Sequence, residues 1–329
     1  MKKEDLKIVF LGTPEFAVES LDLLVKEGFN VVGVVTMPDK PAGRGHKMFE
    51  SPVKRYAVEH GLKVMQPVKL KDPDFVAELQ GLDADLFIVI AFRMLPEVVW
   101  RMPRLGTFNL HASLLPRYRG AAPINWAVIN GDTETGVTTF FLKHEIDTGD
   151  IISQERIEIL PTDNVGDVHD KLMSLGARLT LDTVNHILAG DLVTTPQESL
   201  LTGGEEPTPA PKIFKETCRM DWTKPAEAVH NLVRGLSPYP CAWTELFDAD
   251  GPQEEPIYNL KVLETRVVAE GGADGVALAG RTVADKTLTV ECGDGNKVEI
   301  LRLQPAGKKA MTASEFLRGA HLPGSVIAR

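Results

Sequence analysis

The first two hundred residues repeat one alternation: a short run rich in Val, Ile, Leu and Phe, then a stretch whose apolar positions carry helical spacing. Lys7–Leu11 reads as an apolar strand, Pro14–Glu27 as a helix and Asn30–Val35 as a second, β-branched strand. Ser51 and Pro52 then make an N-cap and N1 pair for a helix over Val53–His60. A serine oxygen accepts a free first-turn amide, and proline has no amide to lose at that position. Val64–Gln66 is a short strand, Asp72–Leu79 a helix and Leu86–Ala91 a fourth apolar strand. When a helix follows each strand, the chain returns to the same end of the sheet, so neighbouring strands run parallel. The pattern predicts an α/β domain with a doubly wound, mostly parallel sheet and helices on both faces. Phe108–His111 and Val137–Phe141 extend it, and such sheets hold ligands beyond the carboxyl ends of their strands.

A long helical pattern from about Val165 to Leu188 stops at Gly190, and Thr202-Gly-Gly-Glu-Glu-Pro-Thr-Pro-Ala-Pro211 reads as a linker. Turn residues without apolar periodicity mark such boundaries. The chain therefore divides into residues 1–205 and 206–329. Pro225–Leu236 is helical. Trp243–Phe247, Ile257–Val268, Gly275–Leu278, Thr287–Glu291 and Lys297–Leu303 are strand-like and broken by glycine and acidic turns. Short strands at these intervals fit a small barrel or a compact sandwich. Thr312-x-x-Glu315 is a capping box opening a last short helix, followed by Phe316, Leu317 and Arg318.

With 43% hydrophobic and 25% charged residues the composition is that of an ordinary water-soluble chain, and no apolar run approaches the ~18 residues of a membrane span. The N-terminus passes from Met1-Lys-Lys-Glu-Asp-Leu-Lys straight into a strand, without the apolar core of a secretory leader, so a cytoplasmic location is expected. Cys218, Cys241 and Cys292 are odd in number and widely spaced, and are expected to be reduced thiols. The net charge of −10 belongs mainly to the N-terminal part, because residues 210–329 carry 15 basic and 16 acidic side chains. Against that trend, residues 40–55 hold Lys40, Arg44, Lys47, Lys54 and Arg55 with Glu50 as the only acid. A local basic cluster attracts phosphate even on an acidic protein.

The chemistry gathers in Asn109-Leu-His-Ala-Ser-Leu-Leu-Pro-Arg-Tyr-Arg-Gly-Ala-Ala-Pro123 and in His144-Glu-Ile-Asp-Thr-Gly-Asp150. An amide, an imidazole and a carboxylate thus stand near two strand ends. Amide and imidazolium stabilise an oxyanion, while imidazole and carboxylate move protons. By spacing alone, the same residues fit a buried polar network tying two loops together. A nicotinamide site is not expected on motif grounds, since the first strand is followed by Gly12-Thr-Pro in place of a Gly-x-Gly-x-x-Gly turn. The histidines lack zinc-ligand spacing with the cysteines, so no metal site is expected.

Asn-x-His before Ser-Leu-Leu-Pro-x-x-x-Gly, with Asp-Thr-Gly after it, resembles the 10-formyltetrahydrofolate-dependent formyltransferases. Gly12-Thr-Pro-Glu-Phe, Pro38-Asp-Lys-Pro-Ala-Gly-Arg-Gly45, Ser51-Pro-Val-Lys54 and Pro305-Ala-Gly-Lys-Lys-Ala-Met311 narrow the resemblance to members that formylate the methionine carried by initiator tRNA. It extends from about Leu6 to the tail. Leu236-Ser-Pro-Tyr-Pro-Cys-Ala-Trp243 departs from the family's common form at Tyr239 and Cys241. The alternatives within the enzyme class are formyl transfer to glycinamide ribonucleotide or to an amino sugar, and a hydrolytic deformylase. A different class is an RNA-binding protein with an inactive catalytic-like domain.

The resemblance implies 10-formyltetrahydrofolate as formyl donor, initiator methionyl-tRNA as partner, and neither metal nor membrane. No obligate protein partner is identifiable. It places the catalytic asparagine, histidine and aspartate on Asn109, His111 and Asp147. Ser113, Leu114, Leu115 and Pro116 are the folate-pocket part of the signature, with Phe92 and Leu95 as apolar walls and Phe108 beside them. Lys40, Arg44 and Lys47 are expected on tRNA phosphates. Arg119 holds its loop or meets phosphate, and Trp126 is expected to be core packing. The C-terminal part is expected to be an OB-like barrel that binds tRNA, with Lys308 and Lys309 on its surface.

Overall fold

The computed structural model describes residues 2–42, 47–201, 206–252, 254–268 and 279–329. The chain forms two compact units. One comprises residues 1–120, 135–157 and 169–210; the other comprises 121–134, 158–168 and 211–329. The division differs from a single cut at 205, because two segments upstream of the linker group with the C-terminal residues.

In chain order the elements of the first half are β1 (Lys7–Gly12), α1 (Glu15–Lys26), β2 (Asn30–Val35), β3 (Lys40–Ala42), β4 (Lys47–Phe49), α2 (Pro52–Glu59), β5 (Val64–Met65), α3 (Pro73–Gln80), β6 (Leu86–Ile90), α4 (Glu97–Trp100), β7 (Thr107–His111), β8 (Arg119–Gly120), α5 (Pro123–Ile129), β9 (Glu134–Phe141), β10 (Ile151–Glu158) and α6 (Val165–Ala189). The main sheet of the first unit runs β10-β9-β7-β6-β1-β2-β5. Its five strands from β7 to β5 pair parallel, and β9 lies antiparallel on β7. Every residue of β6 is buried, as expected of a strand covered on both faces. Ser51 caps α2 through the Lys54 amide at 3.1 Å, and Asp72 caps α3 through the Asp74 amide at 3.0 Å. Strand order reverses between β1 and β6, which puts the ligand crevice at their carboxyl ends, beside the end of β7.

The stretch from Lys40 to Lys47 has strand-paired ends: Lys40 pairs with Phe49 and Ala42 with Lys47. Arg44 lies outside the described residues.

In the C-terminal segment β11 (Pro209–Ala210) is followed by α7 (Ala226–Leu236), β12 (Ala242–Asp248), β13 (Tyr258–Val268), β14 (Arg281–Ala284), β15 (Leu288–Glu291), β16 (Lys297–Pro305), β17 (Met311–Thr312), α8 (Ala313–Gly319) and β18 (Val326–Ala328). The strands run β13-β12-β18-β14-β15-β16, and a β13–β16 pairing closes the ring while β17 pairs with β16. The second unit is thus a six-stranded antiparallel barrel. Its sandwich alternative fails because closure leaves β13 and β16 no free edge. Alternating burial along β12 and β13 turns Leu246, Leu260 and Val262 inward onto Val298, Ile300 and Leu303 of β16. The closing strand β18 and the short β14 escape the sequence reading, and the expected strand at 275–278 falls outside the described residues. The expected capping box is present: the Thr312 hydroxyl accepts the Glu315 amide at 3.2 Å, and Glu315 accepts the Thr312 amide at 2.8 Å. Phe316 of α8 meets Tyr258 edge-on at 5.1 Å.

Candidate active site

Asn109 and His111 are two apart on β7, so both side chains leave the same face of the sheet at its carboxyl end. Asn109 is half-buried, and its side-chain amide has no hydrogen-bond partner among the described residues. His111 is buried at 7% exposure, with the Phe140 ring edge-on to it at 6.5 Å. The residue after β7 opens the signature turn, and the bonds within that turn explain why this run of residues is needed.

Ser113 closes the turn by donating its hydroxyl to the Arg117 carbonyl at 2.6 Å. The Leu115 amide donates to Thr138 Oγ1 at 3.1 Å, and Thr138 donates to the Ser113 carbonyl at 2.6 Å. Gln154 of β10 adds bonds of 2.8 Å to the Leu115 carbonyl and to Thr138 Oγ1. Tyr118, in the left-handed region at φ 61°, presents its carbonyl to His111 Nε2 at 2.8 Å. A carbonyl only accepts, so Nε2 carries the proton. The other ring nitrogen, Nδ1, stands 3.9 Å from Asp147 Oδ2, which is ion-pair range and longer than a hydrogen bond.

Two residues further along, the Gly120 amide donates to Asp147 Oδ2 at 3.0 Å. One loop therefore orients both groups, His111 through Tyr118 and Asp147 through Gly120. Gly120 has φ 130°, and a Cβ there would stand 2.5 Å from the Ala210 carbonyl oxygen, so no side chain fits between β8 and its partner β11. Asp147 is itself left-handed at φ 54°. Gly149 allows the following turn to touch β9, since a Cβ there would lie 1.5 Å from the Phe141 carbonyl oxygen.

The structure brings His111 and Asp147 together and sets Asn109 on the same face of β7 as His111. Ser113 is fully buried at 0% exposure, Leu115 packs with Phe140 and Ile151, and Leu114 and Pro116 are buried. Phe92 and Leu95 follow β6 at the crevice and pack on the sheet core with Val9, Leu11 and Val89, while Phe108 is buried within β7. Arg119 gives its guanidinium to Gln197 Oε1, at 3.1 Å from Nε and 2.7 Å from Nη2. Asp150 pairs with Lys143 at 2.7 Å. Trp126 is half-buried, with its indole N–H on the Pro211 carbonyl at 2.8 Å.

Near the basic hairpin, Lys40 is exposed, whereas Lys54 is committed to Asp39 and to Glu50 at 2.8 Å. Their mutual hydrogen bond holds the Asp39 carboxyl below its usual range and the Lys54 ammonium above its own. Gln66 also donates to Asp39, at 2.8 Å. Lys54 therefore anchors the chain on either side of the hairpin and is spent on that task before any phosphate arrives. Sequence reasoning missed Gln197, Thr138 and Gln154. The first had no motif around it, Thr138 sits inside the expected strand Val137–Phe141, and Gln154 lies on β10, a strand the sequence reading did not contain. No group of metal-binding side chains occurs among the described residues, and none of the described helices is long and apolar enough to cross a membrane.

Comparison with known proteins identifies the family. Residues 6–184 match the formyl transferase family and residues 212–321 its C-terminal domain. Methionyl-tRNA formyltransferase of Bacteroides fragilis is 59% identical over 98% of this chain and 97% of its own. The enzyme of that name from Phocaeicola vulgatus is 60% identical over 97% of each. The crystal structure of an N-formyltransferase from Helicobacter canadensis, in complex with folinic acid and dTDP-3-aminofucose, shares the fold. Its TM-score is 0.66 at 19% identity, over 91% of this chain and 99% of that one. At that identity the likeness is one of fold. With both of its domains matched in order and near-complete alignment to the two bacterial relatives, the chain belongs to the formyl transferase family, alongside the methionyl-tRNA formyltransferases.

Proposed function

We propose that this chain transfers the formyl group of 10-formyltetrahydrofolate to the amino group of initiator methionyl-tRNA. The single observation that carries the chemistry is the Tyr118–Gly120 loop, which orients His111 and Asp147 together beside Asn109. The acceptor follows from 59% identity along 98% of the chain to a methionyl-tRNA formyltransferase, a likeness that includes the barrel.

The amine nitrogen attacks the formyl carbon, and the carbonyl oxygen takes the negative charge. Asn109 donates its free amide to that oxygen. His111 as imidazolium, with its Nε2–H held on the Tyr118 carbonyl, supplies Nδ1–H as second donor beside Asp147. Asp147 accepts the proton that leaves the amine. The bond from the formyl carbon to folate N10 then breaks, N10 takes up a proton, and tetrahydrofolate and N-formylmethionyl-tRNA are released. Fixed donors aimed at the developing oxyanion and a placed carboxylate meet the demands of the reaction. Folate occupies the crevice past β1 and β6, bordered by the Ser113–Pro116 turn and the Phe92–Leu95 segment.

Lys40, Arg44 and Lys47 engage tRNA phosphate, and the C-terminal unit binds the tRNA body. Supporting the latter is a cavity of about 690 Å³ on the barrel, where Phe214, Trp243 and Tyr239 stand with Lys215 and Lys261. Aromatic faces and lysines suit bases and phosphates respectively. The substrates belong to translation, so the enzyme works in the cytoplasm. The test is to supply purified protein with 10-formyltetrahydrofolate and, separately, methionyl-tRNA, glycinamide ribonucleotide and an amino sugar nucleotide, reading product mass. Formylation of methionyl-tRNA alone is expected. Turnover of a small acceptor with none of methionyl-tRNA would overturn the assignment.

A further inference from the structure

Gln197 stands 50 positions beyond Asp147 and has no part in the chemistry described above, yet it is fully buried at 0% exposure. A buried amide must find partners for two N–H groups and one oxygen. Nε2 donates to the Asp147 carbonyl at 2.9 Å and to the Gly149 carbonyl at 2.8 Å. Oε1 accepts twice from Arg119, at 3.1 Å and 2.7 Å. Both donors and both lone pairs are used. The opposite amide orientation would set an oxygen against two carbonyls and an NH2 group against a guanidinium, so the partners fix which way it points.

These bonds close a ring. It runs from the Asp147 backbone through the Gln197 side chain to the Arg119 guanidinium, along the backbone to Gly120, and from the Gly120 amide to the Asp147 carboxylate. The same residue is gripped at both ends. Its φ of 54° is a conformation that non-glycine residues keep only when their surroundings impose it, and Gln197 holds the carbonyl of that same residue. Gln197 is placed in turn by an antiparallel bridge two residues before it, where Ile151 and Thr195 exchange two backbone bonds of 2.8 Å.

We propose that Gln197 is a positioning residue for formyl transfer, setting the Asp147 carboxylate against His111 and tying it to Arg119. The proposal rests on the role given to Asp147 under the proposed function. A packing role would lower stability and leave the kinetics of folded protein intact. A positioning role lowers the chemical rate, leaves both KM values near wild type, and depends on the Asp147 carboxylate being present.

The experiment measures single-turnover formylation of methionyl-tRNA by Gln197→Met, Asp147→Asn and the double variant, with steady-state KM values and melting curves. Gln197→Met is expected to slow the chemical step by about 10- to 100-fold, the scale of a small misplacement. In the Asp147→Asn background the same change is expected to cost less than about twofold, because residues acting as one unit are not additive. A folded Gln197→Met with wild-type rate, or a loss of equal factor in both backgrounds, overturns the proposal. Slow Asp147→Asn with fast Gln197→Met removes Gln197 alone. A wild-type rate in Asp147→Asn removes the proton-acceptor role and this inference with it. If Gln197→Met fails to fold, Arg119→Lys decides, since it leaves both Gln197 donors on their carbonyls. It is expected to slow the step by about 3- to 10-fold, again only while Asp147 is present, and an unchanged rate overturns the proposal.

Discussion

At the scale of single residues the site separates groups that do chemistry from groups that aim them. The Asn109 side chain is half-buried and hydrogen-bonded to no other group among the described residues, so removing its amide should cost little stability. Loss of one oxyanion donor typically costs about 3 kcal/mol of barrier, or roughly a hundredfold in rate. Asn109→Ala is therefore expected to melt near wild type and formylate about 100-fold more slowly in single turnover. A folded variant with near-normal rate would remove Asn109 from the mechanism. Gly120→Ala makes the opposite trade. Its new Cβ meets the Ala210 carbonyl oxygen at 2.5 Å with φ at 130°, so strain of about 2 kcal/mol accompanies displacement of the amide that holds Asp147. Both melting temperature and rate should fall, and Gly120→Ala with wild-type values for both would refute the close approach of β8 and β11.

Elements show how much of this was legible beforehand. The parallel strands β1, β2 and β6 were plain because strands buried on both faces are continuous apolar runs, and α2 announced itself by Ser51 and Pro52. The candidate catalytic residues were legible from their signature, whereas their supports were not. Gln197 is joined to Asp147 by folding, and no local pattern marks a bond made across 50 positions. β18 is a three-residue strand at the C-terminus, too short for periodicity, and it counts only because it completes the barrel. Within that barrel, α7 carries His230, whose Nδ1 is 2.8 Å from Thr265 Oγ1 of β13. Burial, reinforced by the charge of Arg234 and opposed by Glu227, pushes the imidazole below its ordinary 6.5. The unfolded chain then binds the proton first, so this contribution to stability is complete above about pH 6.5 and is lost as pH falls through the lower folded value. His230→Gln is expected to flatten the fall in urea midpoint between about pH 7.5 and about pH 5.5 relative to wild type. Parallel profiles for the two proteins would show that His230 is not the titrating group.

Across the whole molecule, the distribution of segments between units governs how the chain tolerates being cut. A boundary at 205 follows composition, but residues 121–134 and 158–168 group with 211–329. Asn125 of α5 donates to the Gly235 carbonyl at 2.8 Å, and Ile129 packs on the barrel's core. Ile129 of α5 thus loses its apolar partners in any fragment that lacks the barrel, and exposed apolar surface promotes association. Fragments ending at 205 and at 210 share that defect and differ in β11. Pro209–Ala210 pairs parallel with Arg119–Gly120, and the Arg119 amide donates to the Thr208 carbonyl at 3.0 Å. Residues 206–210 therefore brace the loop that orients His111 and Asp147. The fragment 1–210 is expected to melt higher than 1–205 and to retain more 10-formyltetrahydrofolate binding, with both nearly inactive on methionyl-tRNA. Melting curves and folate titrations of the two fragments, at equal concentration, make the comparison. Indistinguishable melting and folate affinity would show that β11 does not support the site, and wild-type formylation of methionyl-tRNA by either fragment would show that the barrel is not needed to hold the tRNA.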